Sequence, residues 1–141
     1  MADADTIVHR WLAELALTTA SRDLEAHMAL VSARVQVHGL HRAGLIDFEG
    51  WRARRRTEFR DGLVHGMTHK DVEVITSEPG HIVFNVTETL KGTRGEVIVI
   101  GKQVVLKEEE KEHWRVVLEQ IDSIELKRGR RPDTISTITT S

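Results

Sequence analysis

The sequence predicts an α+β domain in which a curved, mixed or antiparallel sheet wraps around N-terminal helices. Apolar residues recur at helical spacing before position 31 and again between positions 47 and 61. Residues 67–126 instead alternate as four successive strands separated by turn signals, and a lone strand at 31–38 lies between the helices. Helices followed by an antiparallel meander are typical of an α+β domain, because each layer needs the other to cover its apolar face.

Three helices are predicted. The first carries an apolar face from Ile7 to Leu15 and has Asp3, Asp5 and Thr6 available near its start. Ser21 is expected to cap a short second helix. The third is expected to run from Phe48 to Asp61, with Asp47 as its cap and Gly62 as its stop.

The strand pattern also predicts a covered outer face. Residues 31–38 place Val31, Ala33, Val35 and Val37 on one face. The later strands are expected at 67–77, 82–90, 97–106 and 114–126, with the charged run 107–112 as a solvated hairpin tip. Residues 97–100 and 104–106 are apolar on both faces, which predicts a homodimer packed through the outer face of the sheet, or else a tail that folds back over it.

Composition limits the function classes. The chain has 141 residues, a formal net charge of -2, no cysteine and no tyrosine, which excludes disulfides, thiolate nucleophiles and phenolic proton donors. We expect one domain over residues 1–126 and a flexible tail over 127–141, basic at first and then rich in Thr and Ser. The acidic N-terminus has no apolar leader, so a cytoplasmic location without membrane contact is expected. The slightly acidic balance argues against nucleic-acid binding.

The order of elements resembles a known family. The resemblance rests on the helical start, the strand ending at Gly39, the loop with Gly44, a helix carrying Trp51 and Phe59, and a final strand from Trp114 to Asp122. Together these features resemble the nuclear transport factor 2-like superfamily, in particular its SnoaL-like polyketide cyclase branch. The resemblance implies a cystatin-like α+β cone with a pocket between helices and sheet, usually in a dimer. Family isomerases of the ketosteroid type and scytalone dehydratase-like enzymes depend on tyrosines, so the resemblance disfavours both mechanisms here.

Three residues are candidate acid or base groups. Asp122 shares an alternating row with apolar residues of the last strand, and a carboxylate beside an apolar pocket would have a raised pKa suited to proton transfer. SnoaL-like cyclases are similar in using an aspartate as their acid or base group, and the alternative for Asp122 is a structural strand-end residue that caps a turn or pairs with Arg55 or Arg52. Glu88 would be a second pocket carboxylate if its face points inward, and a dimer-rim charge if it points outward. His38 lies on the polar face of its strand unless a bulge turns it inward, so an exposed histidine is favoured over an acid or base.

Five residues are candidate ligand contacts. Arg55 lies in the apolar stripe of the third helix with Trp51, where it would either form an internal ion pair or hold an anion. Gln103 could orient a carbonyl group or satisfy a neighbouring chain, and Gln120 and Trp114 belong to the Asp122 row. No metal site and no cofactor are expected. The histidine pairs His38 with His41 and His65 with His69 lie at strand ends rather than on a helix that would bring both rings together, and no nucleotide-binding glycine pattern occurs.

Two functions stay open on the sequence alone. The first is a SnoaL-like pocket protein that performs a cofactor-free proton transfer, cyclisation or hydrolysis on a small carbonyl-containing or anionic compound. The second is a non-catalytic ligand-binding or dimeric assembly module of the same fold. A cavity filled by side chains, with the charged residues paired and sealed from solvent, would favour the second.

Overall fold

The computed structural model describes residues 3–39 and 44–127 of the chain. The expected flexible tail therefore lies outside the described residues, apart from Lys127. The elements, in chain order, are α1 (Ala4–Ser21), α2 (Leu24–Met28), β1 (Val31–His38), α3 (Phe48–Asp61), β2 (Val64–Glu78), β3 (His81–Gly92), β4 (Val97–Glu110) and β5 (His113–Lys127).

The five strands form one curved, unclosed sheet in the order β1-β5-β4-β3-β2. Strands β2 to β5 are antiparallel neighbours, and β1 joins β5 in parallel at the sheet's other edge. A parallel partner needs a long connection, which α3 and the whole meander supply. The predicted α+β architecture with a mixed sheet is confirmed.

Local signals explain where the helices begin and end. Asp3 accepts a hydrogen bond from the Thr6 amide at 2.8 Å and caps α1. Asp47 caps α3 in the same way, and Gly62 ends it with a φ of 67°. The predicted cap of α2 was wrong, because α1 continues through Ser21 and Asp23 takes that role.

The inner face of the sheet carries the core. In β3 and β4 the even-numbered residues face the helices, and most of them are buried. Strand β1 departs from strict alternation, because its register with β5 shifts between Val31 and Gln36. As a result Ser32 is buried and Ala33 is exposed, which corrects the predicted face. Ser32 satisfies its buried hydroxyl by donating to Glu109 at 2.6 Å.

Strand β5 contains two bulges that the alternation rule did not predict. Leu106 pairs with Val116 and Val105 with Leu118, so Val117 has no partner on β4. Lys102 pairs with Ile121 and Gly101 with Ser123, which leaves Asp122 unpaired as well. Each extra residue reverses the side-chain alternation beyond it. The predicted inner row of β5, which held Leu118, Gln120 and Asp122, is therefore wrong, and Glu119 and Ile121 face inward instead.

Candidate functional site: a buried charge cluster beside a small cavity

Four ionisable side chains of the sheet meet on its inner face. Lys102 of β4 donates hydrogen bonds to Glu88 of β3 at 3.0 Å and to Glu119 of β5 at 3.1 Å. His69 of β2 lies beside Glu88 in register and donates from Nε2 to the same oxygen, also at 3.0 Å. Glu88 is 1%, Lys102 3% and Glu119 4% exposed. We call these four residues the sheet cluster.

The two carboxyl groups of the sheet cluster differ in their affinity for a proton. Burial alone would raise the pKa of Glu88, but the Lys102 ammonium and the hydrogen bond from His69 outweigh it and hold the pKa below its usual range. Burial also raises the pKa of Glu119, and there the attraction of Lys102 is too small to reverse the shift. Burial disfavours the charged form of Lys102, yet Glu119 and Glu88 together raise its pKa. Lys102 is therefore a fixed cation and no candidate for a nucleophilic amine.

A second group of polar side chains faces the sheet cluster from the helices. His27 of α2 is fully buried, and its Nε2 accepts hydrogen bonds from the Trp51 indole and the Arg55 guanidinium of α3, both at 3.3 Å. The Thr18 hydroxyl lies 3.1 Å from His27 Nδ1 and donates to the Leu15 carbonyl. Because Nε2 accepts from two donors, the proton of the neutral ring is on Nδ1, which donates to Thr18. We call His27, Trp51 and Arg55 the helix cluster.

Burial and the neighbouring Arg55 lower the pKa of His27 to about 3, so its ring is neutral at neutral pH. Arg55 also donates to Glu58 at 2.7 Å, and its guanidinium lies 5.7 Å from the centre of the Trp51 ring. Burial alone would lower the pKa of Arg55, but Glu58 and Glu88 raise it. Arg55 therefore forms the internal ion pair that the sequence left open.

A cavity of about 340 Å³ lies where α3 ends, between the β3–β4 turn and the end of β5. We call it the α3 cavity. Its wall is mostly apolar and includes Leu90 and Ile98, which pair across β3 and β4. Leu63 and Leu126 also line it and remain 50% and 56% exposed. Three charged residues line the cavity as well, Glu58, Arg94 and Glu96, and the Glu58 carboxylate accepts a hydrogen bond from Arg55.

The α3 cavity lies close to the sheet cluster. Glu88 is two residues from the cavity residue Leu90 on the same face of β3, a separation of about 7 Å at the usual rise of a strand. Ile100 pairs with Glu88, one layer from the cavity pair Leu90 and Ile98. The sheet cluster itself does not line the cavity. A bound molecule would therefore touch Glu58 directly and the sheet cluster only after inner side chains move.

The structure separates the predicted site residues. Glu88, Arg55 and Trp51 lie inside, on the two facing clusters. Asp122 is exposed at its bulge and meets neither cluster, which corrects its predicted place in the pocket. His38 is partly exposed and lies 3.3 Å from the side-chain oxygen of Gln36, as its polar position predicted.

The three remaining candidates lie away from the clusters. Gln103 is on the outer face, where its amide donates to Asn85 at 3.3 Å. Gln120 of β5 pairs with Gln103 of β4 on that same outer face, although the sequence predicted that Gln120 belongs to an inward-facing row. Trp114 lies at the opposite end of the sheet from the α3 cavity and lines a different groove.

Sequence reasoning missed His27, Glu58, Lys102 and Glu119, and considered His69 only as a metal ligand. Lys102 had a usable signal, because it interrupts the apolar row Ile98, Ile100, Val104 and Leu106 as Glu88 interrupts its own row. Glu119 had none, since its inward direction follows from the bulge at Val117. His27 had a weak signal, one turn after the cap residue Asp23 and before the buried Met28.

The described residues, 3–39 and 44–127, contain neither a metal-holding group of side chains nor a helix that could cross a membrane. No three or more His, Asp or Glu side chains in these ranges are grouped so as to hold a metal ion. No helix in the same ranges has the length and apolar character needed to cross a membrane.

Comparison with known proteins places the fold. No family model and no curated protein matches the sequence. A nuclear transport factor 2-like protein of Cytophaga hutchinsonii superposes with a TM-score of 0.68 at 12% identity, covering 85% of this chain and 98% of that one. A protein of unknown function with the same fold from Shewanella oneidensis gives 0.69 at 10% identity, covering 84% and 98%. A computationally designed 17-OHP binder gives 0.60 at 14% identity, covering 85% and 96%.

These similarities confirm the predicted fold. The chain has the nuclear transport factor 2-like fold, the α+β cone that the sequence resembled. At identities this low, shared architecture does not carry an activity from one protein to another. The function has to be argued from the two clusters and the α3 cavity.

Proposed function

We propose that this protein is a small-molecule-binding module, and that its ligand is a compact, largely apolar compound bound in the α3 cavity. The observation that carries this proposal is the cavity itself, which has a mostly apolar wall and two acidic residues, Glu58, held by Arg55, and Glu96, against one basic residue, Arg94. Its volume falls at the lower end of the range for small-molecule sites. A ligand that covers the exposed side chains of Leu63 and Leu126 would be stabilised by the burial of their apolar surface.

The sealed state of the charged residues favours binding over catalysis. A catalytic group has to touch its substrate, yet Glu88, Lys102 and Glu119 are each at most 4% exposed, and Lys102 donates to both carboxylates. Buried ion networks also shift pKa values in proteins without any catalytic role. We therefore assign the sheet cluster to the framework that supports the cavity.

The charge of the cavity suggests the polar group of the ligand. Arg55 is engaged by Glu58 and His27, and the cavity lining holds two acidic residues, Glu58 and Glu96, against one basic residue, Arg94, so its charge balance is negative. A carboxylate accepts hydrogen bonds and attracts cations. We propose a ligand with a hydroxyl or amine group, which replaces the anionic ligand that the sequence suggested for Arg55.

Ligand-observed NMR with three probes of one size tests this proposal. Cyclohexanol and cyclohexylamine should bind at neutral pH, and cyclohexane carboxylate should not, because the acidic residues Glu58 and Glu96 outnumber the one basic residue of the lining, Arg94. The substitution Ile98→Trp should abolish binding by filling the cavity. Ile75→Trp is the matched control, since Ile75 is half exposed on the edge strand β2 and does not line the cavity. Equal binding of all three probes, or binding that survives Ile98→Trp, would contradict the proposal.

We also propose that the protein is a homodimer through the outer face of the sheet. That face carries Val83, Val99, Val105 and Leu118, which are buried or half-buried in the single chain. Val83, Val105 and Leu118 are paired neighbours across β3, β4 and β5. A row of side-chain amides lies next to them and could hydrogen-bond a second copy, which would fix how the two sheets align. The row consists of Asn85, Gln103 and Gln120.

Light scattering on the purified chain tests the dimer. Leu118→Arg should give monomers by placing a charge in the apolar part of the face. The control Ile75→Arg introduces the same charge at an exposed position of β2 and should leave the mass unchanged. A monomeric wild-type chain at micromolar concentration would refute this part of the proposal.

One observation favours a second candidate, acid–base catalysis of the SnoaL-like kind. Glu119 and Glu88 share Lys102, yet the pKa of the first is raised and that of the second lowered, as in an acid and base pair. Exchange of the α-protons of cyclohexanone for deuterium, followed by NMR, tests this role. An exchange rate above that in buffer alone would support this role if the substitution Glu119→Gln abolishes the excess rate and the variant remains folded. No exchange above buffer would leave binding as the function.

A further inference from the structure

A second and larger concavity lies at the other end of the sheet. A groove of about 1280 Å³ opens between the start of α1, the β2–β3 turn and the β4–β5 turn. Its apolar lining consists chiefly of Ile7, Trp11, Ile82 and Trp114. We call it the α1 groove. Because β3 runs from this end to the α3 cavity, the two sites are separated by the length of the strand.

The lining of the α1 groove is acidic. Five carboxylates line it against two fully basic side chains, Arg10 and Lys111. Two of the five, Asp3 and Glu108, also accept backbone N–H bonds, which hold them in place. This balance attracts a positively charged occupant and repels an acidic one. The five carboxylates are Asp3, Glu14, Glu78, Glu108 and Glu112.

The size of the groove favours a segment of polypeptide over a small molecule. Ligand cavities usually hold between about 300 and 1,000 Å³, and the α1 groove exceeds that range. An apolar floor with a charged rim suits an extended chain that carries both basic and aliphatic residues. The chain contains such a segment after β5, in which Arg128, Arg130 and Arg131 are followed by Ile135 and Ile138.

The segment would have to come from another copy. Strand β5 begins at the groove residue His113 and ends at Lys127, so these two residues lie about 40 Å apart along the strand at the usual rise, once its two bulge residues are left out. Arg131 is four residues beyond Lys127 and can extend only about 14 Å further. Its own groove is therefore out of reach for the basic cluster, while the groove of a second molecule is not.

We infer that the α1 groove binds residues 128–138 of a second copy of this chain, with the arginines on the acidic rim and the isoleucines on the apolar floor. The contact is heterologous, since the groove of one molecule takes the tail of another. It uses neither the α3 cavity nor the outer face, so it is independent of the proposed ligand and of the proposed dimer.

Disulfide trapping tests this inference cleanly, because the natural chain has no cysteine. Full chains carrying His113→Cys at the groove are mixed with full, differently tagged chains carrying Thr134→Cys in the tail, and then oxidised. A mixed disulfide between the two kinds of chain is expected, because bound partners bring the thiols within bonding distance. The control Arg56→Cys is exposed on α3 and does not line the groove, and it should yield little mixed product.

A charge test accompanies the trapping. Replacing Arg128, Arg130 and Arg131 by Glu in the Thr134→Cys chain should remove the mixed disulfide, and so should high salt. The matched triple change Arg54→Glu, Arg56→Glu and Lys91→Glu alters exposed basic residues outside the groove and should retain it. Equal trapping by the groove and control positions, a yield unaffected by the tail charges, or disulfides only between two His113→Cys chains would each overturn the inference.

Discussion

The buried His27 makes a prediction about how stability depends on pH. In the unfolded chain an ordinary histidine takes up a proton near pH 6.5, whereas burial and Arg55 hold the pKa of folded His27 at about 3. Between these two values the unfolded state binds one more proton than the folded state. Falling pH therefore favours unfolding through this residue, and its stabilising effect is fully present only above about pH 6.5.

The size of the effect follows from the two pKa values. Lowering the pH from 7 to 5 should cost about 2 kcal/mol of unfolding free energy through His27 alone. The substitution His27→Gln removes this titration while keeping a side-chain carbonyl that can accept from Trp51 or Arg55. The variant will be less stable at pH 7, since it loses the bond to Thr18, but its stability should fall about 2 kcal/mol less on acidification.

Urea unfolding at pH 7 and pH 5 measures both quantities. Titration of Glu88 and Glu119 contributes equally to the wild type and the variant, so the difference between the two proteins isolates His27. The control His65→Gln removes an exposed histidine of β2 and should keep the wild-type dependence on pH. Parallel pH dependence of the wild type and His27→Gln would show that His27 takes up its proton as readily in the folded protein as in the unfolded chain, and would refute the hydrogen-bond assignment.

Two further predictions concern the interior. Lys102→Met should cost about 3–5 kcal/mol by leaving Glu88 and Glu119 buried without their cation, and replacing both glutamates by Leu in the same chain should recover most of the loss in urea unfolding. A smaller loss than about 1 kcal/mol would mean that water reaches the cluster. Gly39→Ala should destabilise more than Gly44→Ala in thermal unfolding, although both have positive φ, because the new methyl group at 39 would collide with the Ile121 carbonyl whereas that at 44 meets open space. Equal melting temperatures for the two alanine variants would contradict this packing.

Much of the fold could be predicted because its signals are local. The third helix begins and ends where its cap Asp47 and its terminator Gly62 place it, since both act through bonds within one turn. The strand over residues 31–38 was predicted with its observed bounds, and each later strand was found within a few residues of its ends. Hairpin turns and hydrophobic periods need no knowledge of the distant chain.

The candidate site could be predicted only in part. The inward placement of Glu88, Arg55 and Trp51 could be predicted because each stands at a regular position within an apolar stripe. Asp122 was misplaced because a bulge is a property of two strands and cannot be read from one of them. A second bulge, at Val117, turns Glu119 inward, whereas strict alternation predicts that Leu118 and Gln120 point inward.

The sequence by itself determined the class of the fold, the order of the elements and the absence of thiol and phenol chemistry, because periodicity, caps and composition act locally or on the whole chain. Only the tertiary structure decided that Lys102 bonds Glu88 and Glu119, that His27 accepts from α3, and that Arg55 is already paired. These contacts join residues 14 to 28 positions apart, apart from the local Arg55–Glu58 pair. Their geometry depends on strand register and helix packing, and those are set by the burial of the whole core rather than by any one segment.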